Sequence, residues 1–235
     1  SMLRNWGSNS AEIATFMFLL GIPWYIKPLF GLLSDFIPIK GLRRKSYMIL
    51  SSLLMFGGFL AATFLPLVPT AATLILFLLL LPSVGIAFKD VVTDATMIEA
   101  GQPLGITGRL QSAQWGAMYG AGLLCGVGGG WLSQHGQQRL GFLICSLLGL
   151  VALYIAIFHI KEKPRPELHR GQLKRAIIVL GEAANTCIVI LIAIFYFFLS
   201  FNPFSADVLY VHMSEELGFS EQFIGYTYTI SSFAS

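Results

Sequence analysis

Three ionisable side chains stand where the surrounding sequence is almost wholly apolar: Lys27, Asp90 and Asp94. A charge at mid-bilayer costs about 2.5–3.5 kcal/mol even on the lenient insertion scale, so each needs a partner or a task. Asp90 and Asp94 are four residues apart and share one helix face. Two carboxylates so placed repel each other unless a cation or a proton comes between them. Lys27, in the first apolar run, is the candidate cation. Lys89 stands about 100 degrees round the helix from Asp90 and is expected to face elsewhere. Such a set can bind an anionic group, exchange a proton, or only lock two helices together. Intramembrane charges are functional by default, so the favoured reading is a polar cavity where Lys27 and one carboxylate meet substrate or proton. Lys27 also lies between Pro23 and Pro28, a pattern that suits a helix kinked at a cavity.

Asp35 closes the same run, where the helix macrodipole disfavours an anion. Compensation is expected from Arg43, Arg44 or the N-terminus of another helix. Further on, Gly116, Gly120, Gly122, Gly126, Gly128, Gly129 and Gly130 crowd one stretch. The pairs 116/120, 122/126 and 126/130 have the four-residue spacing that lets helix backbones approach. Tight packing is the plain reading, and a sliding contact for alternating access is the functional one. It is not a phosphate loop, since no Gly-Lys-Ser/Thr ends it and no strand precedes it. His135, His159, His169 and His212 are scattered without the spacing of a metal site. Cys125, Cys145 and Cys187 fit neither a metal motif nor a disulfide framework and read as small packing residues. Trp24, Trp115 and Trp131 are candidate interface anchors. With no nucleophile–base set, the chain is not expected to be an enzyme; no metal, cofactor or nucleic-acid partner is expected either.

The elements that must position these residues follow from composition. Of the 235 residues, 55% are hydrophobic and 11% charged, against about a quarter charged in soluble domains. The apolar residues fall into long runs, and a run of roughly 18 or more reads as a transmembrane helix. Such runs cover about 12–34, 46–66, 71–98, 108–133, 140–160 and 176–201, and a seventh begins before Ser235. The loops at 36–46, 99–109 and 161–175 hold eleven of the fifteen basic residues. Cytoplasmic loops are enriched in Lys and Arg, so these three are expected to face the cytoplasm. That orientation puts the N-terminus outside, and the chain is expected to lack one span in front and several behind.

Particular stretches carry a family resemblance. GLLSD at 31–35, followed after FIPIKG by Arg43-Arg44-Lys45, resembles the loop between the second and third helices of major facilitator proteins. The longer form of that loop is similar to the folate–biopterin transporter family. PWYIKPLFGLLSD resembles that family's second helix, KDVVTDATMIEA its fourth, and GRLQSAQWG, with Arg109, the start of its fifth. FNPFSADVLYVHMSEELGFSEQFIG resembles the end of its seventh helix and the link into the eighth. The pieces run in matching order from about residue 21 to the C-terminus. One departure is that Trp115-Gly116 is followed by Ala117, Met118 and Tyr119, where family members often carry an arginine.

The resemblance implies an all-α membrane protein: a piece of the major facilitator fold, with six complete transmembrane helices and the start of a seventh. Residues 1–160 would form most of the N-terminal bundle without its first helix. Residues 161–175 would be the cytoplasmic link, and 176–235 the start of the C-terminal bundle. It implies secondary transport of folates or pterins, coupled to protons, with Lys27, Asp90 and Asp94 on the pathway. Gly31, Asp35, Arg43, Arg44 and Arg109 would belong to a gating loop. Gly116, Gly120, Gly122, Gly126 and Gly130 are assigned to helix packing. The expected partners are a small-molecule substrate, protons and membrane lipid. The rivals are a carrier of the same fold for another substrate, such as a muropeptide-type permease, and a non-transporting scaffold or receptor. A bacterial inner membrane, a plasma membrane and a plastid envelope all fit.

Overall fold

The computed structural model describes residues 6–162, 184–201 and 216–234, together with positions 3, 178, 179, 181, 182, 209 and 212–214. Its longer helices are α1 (Ser10–Tyr25), α2 (Lys27–Phe36), α3 (Lys45–Phe64), α4 (Ala72–Gly101), α5 (Thr107–Gln134), α6 (Gln138–Phe158), α7 (Cys187–Ser200) and α8 (Glu221–Ala234). No strand occurs among the described residues.

The first apolar run is two helices where one was expected. Asn9 opens α1 with a capping box: its side chain accepts the Glu12 N–H while the Glu12 carboxylate accepts the Asn9 N–H. The helix then breaks at Ile26, whose φ and ψ are −94° and 10°. Pro28 is the cause. It has no N–H to return to the carbonyl four residues back, at Trp24, and its ring crowds that turn. α2 restarts at Lys27 with Pro28 in its first turn, where proline is tolerated. The two halves together, Ala11–Phe36, are long and apolar enough to make one membrane span.

A tight reversal follows α2. Lys40 and Gly41 both take positive φ, 55° and 75°, and Ile39 and Leu42 exchange two backbone hydrogen bonds of 3.1 Å across them. This geometry matches a two-residue hairpin turn. It swings Arg43 and Arg44 back over the end of α2.

α3 is the central helix, packed between α4 and α6. Small residues permit the approach on both sides. A Cβ at Gly85 of α4 would meet the Ser51 carbonyl oxygen at 2.6 Å, and one at Gly149 of α6 would meet the Phe56 backbone nitrogen at 2.9 Å. Ser51 and Ser52 are buried in the same seam. Near the basic end of these helices Tyr47, Met48, Phe88, Val92 and Ala156 form a buried cluster, flanked by Phe30, Ile39, Ile49 and Ile160.

Among the described residues four segments are long and apolar enough to cross a membrane: Ala11–Phe36, Lys45–Phe64, Pro69–Leu104 and Gln138–Phe158. Large apolar side chains cover their outer surfaces, among them Phe18, Phe77, Leu148 and Phe158. α5 has 28 residues, which at 1.5 Å per residue span about 42 Å. Its glycines and its polar first turns keep it out of that group. α7 is strongly apolar but has 14 residues, and parts of the expected run at 176–201 lie outside the described residues.

α5 has no buried residue and packs chiefly on α8. The two run antiparallel: Thr229 of α8 donates to the Leu123 carbonyl of α5 at 3.4 Å. A Cβ at Gly126 would meet the Gly225 carbonyl oxygen at 2.9 Å, and one at Gly225 would meet the Gly130 Cα at 3.2 Å. Gly126 and Gly130 lie at the contact, whereas Gly116 and Gly120 face open space. A four-residue spacing marks a smooth face but does not say where along it the partner helix crosses.

Replacing Gly149 with leucine is expected to destabilise the purified protein by about 1–3 kcal/mol or more, because the backbone of α3 stands in the way. Gly120→Leu is expected to stay within about 0.5 kcal/mol, as surface changes do. Thermal unfolding of the two detergent-solubilised variants checks the difference.

Candidate functional site

The break at Ile26 sets the Lys27 ammonium against α4. Its Nζ lies 2.6 Å from Asp90 Oδ2, and the two side chains are 30% and 23% exposed. On another side the ammonium sits 4.2 Å from the centre of the Trp24 ring, a cation–π distance. Below the pair, Phe30 of α2 stacks on Phe88 of α4 at 4.9 Å, and Phe88 meets Tyr47 of α3 at the same distance. A Cβ at Gly31 would be in ordinary contact with Val91. These contacts hold α2 close enough to α4 for the ion pair to form.

Asp94 does not share Lys27. Its Oδ1 accepts a 2.9 Å hydrogen bond from the Gln114 side-chain amide of α5. The two carboxylates of one helix face therefore have different partners: a cation for Asp90 and a neutral amide for Asp94. The other amide atom, Gln114 Oε1, is buried and has no hydrogen-bond partner. The sequence singles out Arg109 in the GRLQSAQWG stretch; the residue of that stretch that hydrogen-bonds to an α4 side chain is Gln114. Its signal was a lone amide within an apolar run, which is weaker than a charge. Arg109 is exposed at the start of α5.

A second polar cluster lies at the basic end. Asp35 is ion-paired with Arg44 at 2.6 Å and accepts a hydrogen bond from Arg43 at 3.1 Å. The Arg44 guanidinium, with its side chain 8% exposed, also reaches Glu99 of α4 at 2.9 Å and donates to Ser34 Oγ at 2.8 Å. The carboxylate of Glu162, just beyond α6, accepts three backbone N–H bonds: from Arg43 at 2.9 Å, Arg44 at 3.0 Å and Lys45 at 2.8 Å. These are unpaired donors at the N-terminus of α3, where negative charge is favoured. In return the Lys45 ammonium donates to the Ile157 carbonyl at 2.7 Å. Glu99, Glu162 and Ser34 were not foreseen. Glu162 opens a stretch whose charge reads as basic, and most of that stretch, 163–177, lies outside the described residues.

A hollow of about 380 Å³ between α1 and α4, lined by Asn9, Glu12, Thr15, Phe16, Thr73 and Leu76 among others, opens at the opposite end. It touches none of these charges. Among the described residues no group of three or more His, Cys, Asp or Glu could hold a metal ion.

Apolar helices that carry ion pairs and amide–carboxylate contacts between their spans define a multi-pass membrane protein with polar groups kept inside the bundle. The chain belongs to the BT1 family, which matches it over residues 1–235. It is 30% identical over 230 residues to a protein of Synechocystis sp. named folate-biopterin transporter, an alignment covering 97% of this chain and 46% of that protein. It is 32% identical over 167 residues to probable folate-biopterin transporter 4 of Arabidopsis thaliana, covering 68% and 34%. Putative folate transporter 2 of Plasmodium berghei is 27% identical over 218 residues, covering 90% and 46%. The chain thus spans about half the length or less of these relatives, which are named as transporters and not as enzymes. No solved structure matches it.

Arg44 has three side-chain partners and is nearly buried, whereas Arg43 has one through its side chain. Arg44→Met is expected to cost about 1–3 kcal/mol by leaving Ser34 and two carboxylates with unmade bonds. Arg43→Met is expected to cost under about 1 kcal/mol. Thermal unfolding of the two variants side by side is the measurement; equal losses would contradict this ranking.

Proposed function

We propose that the full-length protein is a secondary transporter of the major facilitator type that carries folates or pterins across a membrane together with protons. The observation that carries this reading is the Lys27–Asp90 pair, kept inside candidate spans and still partly exposed. An ammonium there can accept the carboxylate of a folate or a ring acceptor of a pterin. The Trp24 face beside it is suited to stacking on a flat heterocycle. When a substrate anion takes Lys27, Asp90 loses its counter-charge, and a carboxylate on α4 must take a proton or leave an uncompensated charge in low dielectric. This links substrate binding to proton movement.

On this reading residues 1–160 form most of one helical bundle and 176–235 the beginning of the other, joined by the cytoplasmic link 161–175. The glycine contact of α5 with α8 crosses between the two groups, which supports a moving interface. The Asp35–Arg43–Arg44–Glu99 cluster would act as a gate at the cytoplasmic end, with Gly31 and Arg109 beside it. The names of the relatives support the substrate class.

The test is uptake of radiolabelled folic acid and biopterin by the full-length protein in cells lacking their own carriers. Lys27→Met and Asp90→Asn are each expected to lower uptake at least about tenfold at equal surface abundance, as loss of a charge-assisted contact implies. A Lys27→Met/Asp90→Asn pair that regains full uptake would mean that the charges only fasten the helices, and the proposal would fail.

A further inference from the structure

We infer that Gln114 is the positioning residue that lets Asp94, and not Asp90, take up and release the transported proton. The inference rests on the transport reading above and names the group that would carry its coupling.

The two carboxylates sit one turn apart on α4 but in opposite chemical situations. Asp90 is paired with a full positive charge at 2.6 Å. Asp94 has one hydrogen bond, from a neutral amide at 2.9 Å. Nearby cations are otherwise engaged or turned away. Of the elements packed against α4, α1 carries Glu12, bound in its own cap, and α2 carries Lys27, on Asp90, and Asp35, on Arg43 and Arg44. At α3, Arg44 is on Asp35 and Glu99, Lys45 on the Ile157 carbonyl and Tyr47 on the Ile37 carbonyl. α5 carries Arg109, exposed, and Tyr119 and Cys125, both exposed. On α4 itself Lys89 lies about 100 degrees round from Asp90.

An amide can satisfy a carboxyl in both protonation states. It offers two donors on nitrogen and an acceptor oxygen. With Asp94 ionised, Gln114 Nε2 donates to Oδ1, as observed. When a proton from the aqueous side binds Asp94, the new O–H needs an acceptor. Rotation of the amide about its last side-chain bond brings Oε1 into the place of Nε2 and provides one. Release of the proton reverses the rotation. Gln114 Oε1, buried and without a hydrogen-bond partner beside the Nε2–Oδ1 contact, is the acceptor held in reserve. A lysine or arginine at 114 would fix the charge, and an apolar residue would leave both states unsatisfied.

The experiment uses the full-length protein in proteoliposomes, with folic acid as the probe. Three quantities are read: exchange of folic acid across the membrane at equal pH, accumulation driven by a pH gradient, and the infrared band of the protonated Asp94 carboxyl, assigned by its loss in Asp94→Asn. In Gln114→Leu the pH midpoint of that band is expected to rise by about one unit or more, and in Gln114→Lys the band is expected to vanish, the charged form being fixed. Both variants are expected to keep exchange and to lose gradient-driven accumulation at least tenfold, about 1.4 kcal/mol. A band whose midpoint does not move in either variant, or equal loss of exchange and accumulation, would overturn the assignment. Failure of the wild type to move folic acid would sink the transport reading alone, because the band titration needs no substrate and would still decide the role of Gln114.

Discussion

A charged group cannot be left alone in hydrocarbon, and the contact that meets this demand for Lys27 fixes much of what surrounds it. The ammonium reaches Asp90 because α1 stops at Tyr25 and α2 restarts at Lys27. Without Pro28 the chain would continue as one helix past Trp24, and the lysine would leave the cylinder at a different angle. The break also brings the Trp24 ring to the open side of the ammonium. Three residues within five positions thus act together: a tryptophan, the lysine set over its ring, and the proline beside the helix break.

The basic end obeys the same rule with different materials. Here the donors in need of partners are backbone N–H groups at the start of α3, and one carboxylate from beyond α6 accepts three of them. Arg44 closes the cluster from the side by joining α2 and α4. α3, α4 and α6 are therefore tied twice, by backbone contact through Gly85 and Gly149 and by charge at their common end. α5 has neither tie. It buries no residue and touches α4 through few contacts, the Gln114–Asp94 bond among them, and its close packing is with α8. The molecule divides into a firm group and a pair of helices resting on it.

The extent to which this was legible follows from what each signal depends on. Long apolar runs report on the solvent, so the long helices could be read directly. Charges inside those runs are expensive, so Lys27, Asp90 and Asp94 stood out, and the pairing of a cation with α4 followed. What could not be read was which carboxylate the lysine takes. Helical spacing places Asp90 and Asp94 on one face but leaves open the height at which α2 crosses it. Gln114 was passed over because an amide costs far less in lipid than a charge. Glu99 and Glu162 were missed because carboxylates at helix ends look solvated until a distant backbone is folded onto them. Pro23 and Pro28 announce a kink in the run at 12–34, but proline marks a kink without saying whether the helix resumes in line.

Two acidic residues spaced by one turn look redundant in a sequence, and their partners make them different. A carboxylate against an ammonium has its charge balanced by its partner. A carboxylate against an amide has a neutral partner that carries two donors and an acceptor. The first is held on the α2 side and the second on the α5 side, and one helix keeps them a turn apart. The ion pair ties α4 to α2, and the amide–carboxylate bond ties it to α5. The two contacts belong to different neighbours and stand about 6 Å apart along the helix axis, so neither element has to move for the other's contact to break.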